Sequence, residues 1–373
     1  MIKTYKIVLA GGGSGGHIFP LVAVAEKLRT DPERHIELLY LGPIGQMERE
    51  AMTAASIPMQ PISSGKWRRY FSFLNFLDVF RGLGGFLQSL WYLWIYMPDV
   101  IFSKGSASAV PVVIAGWLYN IPILTHESDA MPGVANQIIG KFSDRIAVGY
   151  PSTKNYFRAA KTVVTGNPVR VGLITSDIER ARKRFGLTGT KPVLAIFGGS
   201  QGAHSVNKTM ATIAPALLEH FEIVHQTGIG KDEETLEILH EYGVRPEEKK
   251  YVIAPFLDTQ EMSDLLAVAD IVVSRAGIGQ ITEVAAVGRA VLVLLPHSEG
   301  SNGHQRINAY EIARMGGALV LDENNAGENL LLHKILRLWH DEPLRTKMIV
   351  ALREFYRPDA AEVIARGVQG LLK

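Results

Sequence analysis

The stretch Ile7–His17 reads IVLAGGGSGGH, a short apolar run followed by a glycine-rich turn. The run has the length of a buried strand, and Leu21–Thr30, beyond the turn, has the pattern of a helix. A strand, a glycine turn and a helix in this order begin a parallel sheet that helices cover. This stretch therefore predicts an α/β fold.

The same alternation continues along the chain and then restarts. Apolar runs at Leu38–Leu41, Val100–Phe102 and Ile146–Val148 precede the linker candidate Gly166–Pro168, and Val193–Phe197 begins a second series. We predict two doubly wound Rossmann-like domains that face each other across a cleft. The boundary is placed between residues 166 and 167.

The composition sets further limits. The chain has 373 residues, of which 47% are hydrophobic and 20% charged, as expected for a globular protein of about two domains. Its net charge of +2 gives no indication of a nucleic-acid partner. Cysteine is absent, which excludes disulfides, thiolate zinc sites and cysteine nucleophiles. We expect neither a targeting signal nor a transmembrane helix, because no apolar run is long enough.

The first glycine turn is suited to phosphate chemistry. Gly11, Gly13 and Gly16 match the dinucleotide fingerprint, although a turn needed only for tight packing is the alternative. An NAD site also needs a carboxylate after the second strand, where this chain has Leu41–Pro43, so a dehydrogenase is disfavoured. His17 follows at the helix start, where the dipole would lower its pKa and keep it neutral as a general base. A capping or core histidine is the alternative.

Two more turns of this kind lie in the second half. Gly198–Ala203 (GGSQGA) follows an apolar run, and Arg275–Glu283 (RAGIGQITE) opens a predicted helix. The backbone N–H groups of residues 278–280 could bind a diphosphate. The Glu283 carboxylate could accept hydrogen bonds from two ribose hydroxyls, or it could be a solvated helix residue.

Polar side chains also follow the strand that ends at Leu124. The segment His126–Asp129 is predicted at the carboxyl edge of the first sheet, where open α/β sheets bind ligands. No Asp-x-Asp pair occurs in the chain, so a helix dipole and a cation must neutralise a diphosphate leaving group. Arg170 is the candidate cation.

The segment Trp67–Met97 is rich in aromatic residues and begins with a basic cluster. Asn75, Asp78, Arg81 and Gln88 interrupt it, which disfavours a bilayer span. Two interpretations remain open: one or two amphipathic helices packed on the sheet, or peripheral contact with a membrane.

Taken in order, these motifs resemble the MurG family of UDP-N-acetylglucosamine:lipid I N-acetylglucosaminyltransferases of bacterial peptidoglycan synthesis. The resemblance rests on motifs that span nearly the whole chain: Gly11–Pro20, His126–Glu127, Thr165–Arg170, Gly198–Ala203, Arg275–Glu283 and His304–Ala309.

The resemblance implies a GT-B fold in which a C-terminal helix, about residues 355–373, returns to the N-terminal domain, leaving 167–354 as the donor domain. It implies inverting, metal-independent transfer of GlcNAc from UDP-GlcNAc to the MurNAc 4-hydroxyl of undecaprenyl-diphosphoryl-MurNAc-pentapeptide, giving lipid II, with no cofactor. The partners implied are these two substrates and an anionic membrane surface, at the cytoplasmic face of the bacterial membrane.

The resemblance also assigns residues. His17 is implied as the general base, with Glu127 as the alternative or as an orienting partner. The implied substrate contacts are Ser14, Gly15, Gly16, Asp129, Arg170, Ser200, Leu257, Ile278, Gly279, Gln280, Ile281, Thr282, Glu283 and Gln305.

Two departures from the family pattern concern the acceptor side. Ser103–Ser108 keeps one of the usual central glycines and has Ala107 in place of an aromatic residue, and Asp129 replaces an asparagine. These changes keep open a different polyprenyl or glycerolipid acceptor, and Lys104 could compensate as a diphosphate contact. A nucleotide-dependent oxidoreductase and a silent UDP-sugar sensor are further alternatives.

Overall fold

The computed structural model describes residues 3–65, 73–174, 177–198, 202–246, 250–297, 303–325 and 327–372. The chain forms two compact units, Met1–Val171 together with Arg357–Lys373, and Gly172–Tyr356. Residues 167–171, which the sequence analysis assigned to the second domain, belong to the first unit.

The first unit contains a seven-stranded parallel sheet. Its strands are β1 (Thr4–Ala10), β2 (His35–Gly42), β3 (Met59–Pro61), β4 (Val100–Ser103), β5 (Ile123–Glu127), β6 (Arg145–Val148) and β7 (Thr162–Val164). They lie in the order β3-β2-β1-β4-β5-β6-β7. The helices of this unit are α1 (Gly15–Arg29), α2 (Gln46–Ala54), α3 (Phe73–Tyr96), α4 (Ala109–Leu118), α5 (Val134–Phe142) and α15 (Ala360–Gln369).

Helices cover both faces of this sheet, so its central strands are buried on both sides. Along β1, side chains alternate between the faces. Ile7 and Leu9 pack in a core that includes Ile364 and Val368 of α15, whereas Val8 belongs to the core on the other face. The C-terminal helix thus completes the core of the first unit.

The second unit contains a six-stranded parallel sheet. Its strands are β8 (Val193–Phe197), β9 (Glu222–Gln226), β10 (Tyr251–Ala254), β11 (Ala269–Ser274), β12 (Val291–Leu294) and β13 (Ala318–Val320), in the order β10-β9-β8-β11-β12-β13. The helices are α6 (Ile178–Arg184), α7 (His204–Thr212), α8 (Ala214–Leu218), α9 (Asp232–Glu241), α10 (Thr259–Val268), α11 (Ile278–Val287), α12 (His304–Arg314), α13 (Glu328–His340) and α14 (Glu342–Phe355).

One element differs from the sequence-based prediction. Helix α1 begins at Gly15 rather than Leu21, because its first turn is made of glycines and a histidine that give no apolar periodicity. From Phe73 to Tyr96 the aromatic segment forms one helix, α3, which agrees with the expectation of one or two helices; its start at Trp67 lies outside the described residues. Among the described residues, no helix is both long and apolar enough to cross a bilayer.

Candidate functional site

Each sheet reverses its strand order at one point, between β1 and β4 in the first unit and between β8 and β11 in the second. Open α/β sheets bind ligands beside the carboxyl ends of the strands at such a reversal. Three of the six sequence motifs, the glycine-rich ones, follow these strands: Gly11–Pro20 after β1, Gly198–Ala203 after β8 and Arg275–Glu283 after β11. Each unit therefore has one candidate site.

In the first unit, the side chain of Tyr40 contacts the glycine turn that follows β1. The Tyr40 hydroxyl donates a hydrogen bond to the carbonyl of Gly11, 2.7 Å away. A Cβ atom at Gly12, whose φ is +132°, would lie 2.3 Å from the same hydroxyl oxygen. Glycine is therefore required at position 12 both by the backbone conformation and by the space available.

The turn also has an acidic neighbour that the sequence analysis missed. The N–H group of Gly13 donates to Glu48 Oε1 over 2.8 Å, and the N–H group of Gly45 donates to Oε2 over 3.1 Å. Glu48 is buried at the start of α2. Glu48 lies at the third position of α2, from which a glutamate can accept from the N–H of the N-cap residue, and this spacing is the one sequence signal that could have identified it.

His17 lies in the first turn of α1. Its Nδ1 atom is 2.9 Å from the hydroxyl oxygen of Ser14, the N-cap residue. Burial, and then the charge of Lys104, lower the pKa of His17 to about 3, so the imidazole is neutral. The neutral state agrees with the sequence-based expectation, although burial and Lys104 are its causes here.

The loop after β4 packs against the glycine turn. A Cβ atom at Gly11 would lie 3.2 Å from the Cβ of Lys104. Lys104 is buried, and its ammonium group donates a hydrogen bond to the hydroxyl of Ser128. Ser106 has a φ of +82°, a left-handed conformation that glycine adopts more easily than serine.

Glu127 is buried at the end of β5, and both of its carboxylate oxygens accept hydrogen bonds. Oε1 accepts from the N–H of Asp129 at 2.9 Å, whereas Oε2 accepts from the Asn136 amide at 2.8 Å and the N–H of Gly133 at 3.3 Å. Burial and the nearby Asp129 raise the pKa of Glu127. This geometry fixes the loop between β5 and α5.

His126 precedes Glu127 and is fully buried. Its Nε2–H donates to the carbonyl of Gly166 over 3.1 Å, which ties β5 to the segment Thr165–Arg170. Burial, and then Lys104, lower the pKa of His126 well below its usual value. His126 therefore supports the loop as a neutral group.

Arg170 belongs to the first unit. The predicted boundary after residue 166 had placed it in the other domain from the residues that it contacts. Its guanidinium lies over the ring of Phe19, 4.8 Å from the centroid. The Phe19 ring also fills the space beside Gly15, where a Cβ atom would be 2.9 Å from Cε2. The structure thus brings Arg170 beside the first turn of α1, which holds Gly15, Gly16 and His17.

In the second unit, α11 begins at Ile278 with Gly277 as its N-cap. Among the described residues, no atom would lie within 4 Å of a Cβ atom added at Gly277 or Gly279. Glu283 is buried, and is therefore not the solvated helix residue that was the alternative.

The other residues predicted on α11 contribute differently. The side chains of Ile278 and Ile281 are buried, and the Thr282 hydroxyl donates to the carbonyl of Ile278 over 2.8 Å. The N–H of Ile281 donates to the carbonyl of Gly277 over 3.1 Å, so Ile281 and Thr282 stabilise the helix terminus rather than offering groups to a ligand. Gly279 is exposed and Gln280 half-buried.

The remaining predicted residues lie on separate loops of the second unit. Leu257 is buried after β10, directly before Asp258, which caps α10. Gln305 lies in the first turn of α12, and its Oε1 atom is buried without a hydrogen-bond partner among the described residues. Ser200 lies outside the described residues.

A second acidic residue that the sequence analysis missed is Glu323, which contacts Ser205, Arg275 and His297. These three residues are far from Glu323 in the sequence, so no local pattern could have indicated the contact. Among the described residues, no group of three histidine or carboxylate side chains could hold a metal ion.

The chain matches known protein families over both units. Residues 7–148 match the glycosyltransferase family 28 N-terminal domain, and residues 193–364 match the glycosyltransferase family 28 C-terminal domain.

Curated relatives cover nearly the whole chain. It is 38% identical over 335 residues to the UDP-N-acetylglucosamine--N-acetylmuramyl-(pentapeptide) pyrophosphoryl-undecaprenol N-acetylglucosamine transferase of Clostridium perfringens, covering 90% of each chain. It is 36% identical over 372 residues to the protein of the same name from Treponema pallidum, covering 98% of this chain and 96% of the relative.

Solved structures show the same fold. Acinetobacter baumannii MurG matches with a TM-score of 0.74 and 24% identity, over 98% of this chain and 99% of that one. UDP-GlcNAc 2-epimerase from Neisseria meningitidis, bound to UDP-GlcNAc, matches with a TM-score of 0.71 and 13% identity, over 99% and 100%. At these identities the likeness establishes the fold alone. The predicted α/β fold of two Rossmann-like domains, the GT-B class, is confirmed.

Proposed function

We propose a function from one premise: the chain belongs to the MurG family of UDP-GlcNAc-dependent N-acetylglucosaminyltransferases. It transfers GlcNAc from UDP-GlcNAc to N-acetylmuramyl-(pentapeptide) pyrophosphoryl-undecaprenol, the lipid I of peptidoglycan synthesis. The observation that carries the proposal is the 36% identity over 98% of the chain to a relative of that name, because this match includes both units.

The second unit supplies the proposed nucleotide contacts. The N-terminus of α11, at residues 278–280, presents backbone N–H groups suited to a diphosphate. Glu283 is proposed to accept from the ribose hydroxyls, and the backbone at Leu257 to contact uracil. The Oε1 atom of Gln305, buried without a partner among the described residues, is proposed to bind the sugar. Ser200 is proposed to contact the diphosphate.

The first unit supplies the proposed base and further substrate contacts. Ser14, Gly15 and Gly16 surround the N-terminus of α1, and Arg170 lies beside this turn on the ring of Phe19. A cation and a helix N-terminus both stabilise a bound group that carries negative charge, such as a diphosphate. These groups are proposed to bind the sugar and diphosphate.

His17 is proposed to accept the proton of the acceptor 4-hydroxyl at Nε2. The hydroxyl oxygen then forms a bond to the anomeric carbon of GlcNAc as the bond from that carbon to UDP breaks, and UDP leaves with the electron pair. This role requires that Nδ1 carries the hydrogen and donates it to Ser14, which leaves the Nε2 lone pair available. The lowered pKa keeps His17 unprotonated before this step, although the same shift weakens the imidazole as a base.

Glu127 is proposed to orient the acceptor loop rather than to accept the proton. Both of its oxygens already accept hydrogen bonds from the loop between β5 and α5. This loop carries Asp129, which is proposed to contact substrate.

The altered loop Ser103–Ser108 does not by itself favour a different acceptor. Gly105 and Ser106 both have positive φ angles, +88° and +82°, so the backbone keeps a conformation suited to glycine. No second function is therefore proposed.

An anionic membrane surface is proposed to bind the exposed face of α3. Leu83, Leu87, Trp91 and Trp94 are each more than half exposed and recur at helical spacing. The end of α4 extends this face, since Tyr119 donates a hydrogen bond to the carbonyl of Leu90 over 3.3 Å. Exposed tryptophans on an amphipathic helix suit the interface of a bilayer. Because nucleotide sugars are cytoplasmic, the proposed location is the cytoplasmic face.

The test is transfer from labelled UDP-GlcNAc to a short-chain lipid I analogue, with and without EDTA. We expect a labelled disaccharide product in equal amount in both conditions. A product that disappears with EDTA would contradict the metal-independent mechanism. Binding of UDP-GlcNAc without any transfer to lipid I would contradict the proposed acceptor.

A further inference from the structure

We infer that Glu323 is a positioning residue for the nucleotide-sugar donor, because its one carboxylate joins the loops that follow three neighbouring strands. The inference rests on the proposed function, since it concerns the donor site of the second unit. It adds a residue that none of the sequence motifs contains.

The contacts of Glu323 are polar and close. Its Oε1 atom accepts from the hydroxyl of Ser205 and from NH2 of Arg275, the latter over 3.0 Å. Its Oε2 atom lies 2.5 Å from Nδ1 of His297, which must carry the hydrogen because a carboxylate only accepts. Arg275 NH2 also lies 3.0 Å from the Ser205 hydroxyl. The four side chains thus form one connected network.

Each partner of Glu323 lies on a different loop of the proposed donor site. Ser205 is in the first turn of α7, after the glycine-rich motif Gly198–Ala203. Arg275 directly follows β11 and precedes the N-terminus of α11. His297 follows β12, on the connection that leads to α12 and Gln305.

The order of the strands explains why one residue can reach all three loops. β8, β11, β12 and β13 are neighbours in the sheet. Glu323 lies in the 3₁₀ turn Glu323–Asn325, just beyond the carboxyl end of β13. From this edge strand, its carboxylate reaches the loops that follow the next three strands. The network therefore sets the spacing of the loops that are proposed to hold the diphosphate and the sugar.

The ion pair between Arg275 and Glu323 is largely buried, which distinguishes it from an ion pair on the surface. The side chains of Arg275 and Glu323 are 18% and 15% exposed. Hydrogen bonds between charged groups at such low exposure are stronger and less screened than those on the surface. Among the described residues, Glu323 is the ion-pair partner of Arg275, so removing the carboxylate takes this counter-charge away from the guanidinium beside the start of α11.

The neighbouring Asp322 has a separate function. It accepts from Arg306 NH2 at 3.1 Å and from the Tyr310 hydroxyl at 2.9 Å, both on α12. Asp322 therefore fixes one helix, whereas Glu323 joins three loops. This difference identifies Glu323 as the residue to test.

The experiment compares Glu323→Ala, Glu323→Gln and Ser205→Ala with wild type, and uses Glu237→Ala, an exposed carboxylate on α9, as the control. Calorimetry measures the Kd for UDP, and steady-state kinetics measure kcat and both KM values. For Glu323→Ala we expect the Kd for UDP and the KM for UDP-GlcNAc to rise about tenfold or more, with the acceptor KM unchanged. Glu237→Ala should match wild type.

Two variants separate positioning from a merely structural role. Glu323→Gln keeps an oxygen that can accept from Ser205 and Arg275, so it should recover much of the affinity for UDP. Ser205→Ala removes one hydroxyl and should fold normally while weakening UDP binding slightly. If Glu323→Ala fails to fold, Ser205→Ala decides: wild-type UDP affinity in that variant would overturn the inference.

The outcomes also separate this inference from the proposed function. A wild-type protein that binds UDP but transfers nothing to lipid I would contradict the function, while the Kd comparison would still test Glu323. Full transfer activity with an unchanged KM for UDP-GlcNAc in Glu323→Ala would overturn the inference alone. A wild-type protein that binds no UDP would overturn both.

Discussion

The hydroxyl oxygen of Ser14 lies 2.9 Å from Nδ1 of His17, across the first turn of α1. Because Ser14 is also the N-cap of this helix, the contact holds the imidazole against the end of the glycine turn. If Nδ1–H donates to Ser14, the lone pair is on Nε2, which is the state that a general base requires. The Ser14 hydroxyl thus connects the conformation of the turn to the proposed chemistry.

Replacement of His17 by alanine should remove the proposed base. We expect kcat to fall by about 10²- to 10⁴-fold, the range typical of general-base catalysis, with little change in the Kd for UDP. Steady-state transfer assays and calorimetry measure the two quantities. His35→Ala, an exposed histidine of the same unit, is the control. Near-normal turnover in His17→Ala would exclude His17 as the base.

Replacement of Ser14 by alanine should leave the imidazole in place but remove the partner of Nδ1. The Nε2 lone pair would then be available only part of the time, so we expect kcat to fall by up to about tenfold while His17 stays neutral. ¹⁵N NMR of labelled histidine reports which nitrogen carries the hydrogen. An unchanged tautomer in Ser14→Ala would contradict this role of the hydroxyl.

The pH dependence follows from the lowered pKa of His17. The folded protein holds this group neutral down to about pH 3, whereas the unfolded chain binds a proton near the ordinary value of 6.5. The contribution of His17 to stability therefore rises with pH between these values and is lost as the pH falls. Lys104→Met removes the nearby charge and should raise the pKa of His17 in an NMR titration. No change would exclude Lys104 as a cause.

Gly12→Ala should disrupt the turn after β1. The added Cβ would lie 2.3 Å from the Tyr40 hydroxyl oxygen at a φ of +132°, so we expect a loss of stability of about 1–3 kcal/mol or more. Gly82→Ala in α3 is the matched control, since no atom of the described residues lies within 4 Å of its Cβ, and it should stabilise the protein by up to about 1 kcal/mol. Urea denaturation measures both. Equal stability of the two variants would contradict the steric argument.

Membrane binding should depend on the exposed face of α3. Trp91 and Trp94 are 57% and 63% exposed, so the double variant Trp91→Glu/Trp94→Glu should fold and bind UDP normally. We expect it to sediment several-fold less with anionic liposomes at low salt, because it loses apolar contact and gains negative charge. Leu330→Glu, an exposed position of the second unit, is the control. A wild-type protein that does not sediment would contradict the proposed membrane contact.

The sequence by itself determined the class of fold. Ile7–Ala10 and Val193–Phe197 are apolar on both faces, and each runs into glycines that begin a helix, so each could only be a buried strand of a parallel sheet. The sequence also revealed the two motifs Gly11–His17 and Arg275–Glu283. In each of them the strand, the turn and the helix follow one another directly in the chain, so the pattern is local. The family resemblance, which the comparisons bear out, depends on these local patterns.

Only the tertiary structure decided which side chains surround these sequence motifs. Tyr40 supports Gly11 and Lys104 lowers the pKa of His17 because β2 and β4 both pair with β1, although neither residue is near the glycine turn in the sequence. Glu323 meets Ser205 and Arg275 for a similar reason: parallel strands bring their carboxyl ends to one edge of the sheet. A local sequence pattern predicts only the conformation of its own segment. Burial and charge depend on segments that only the folded chain brings together.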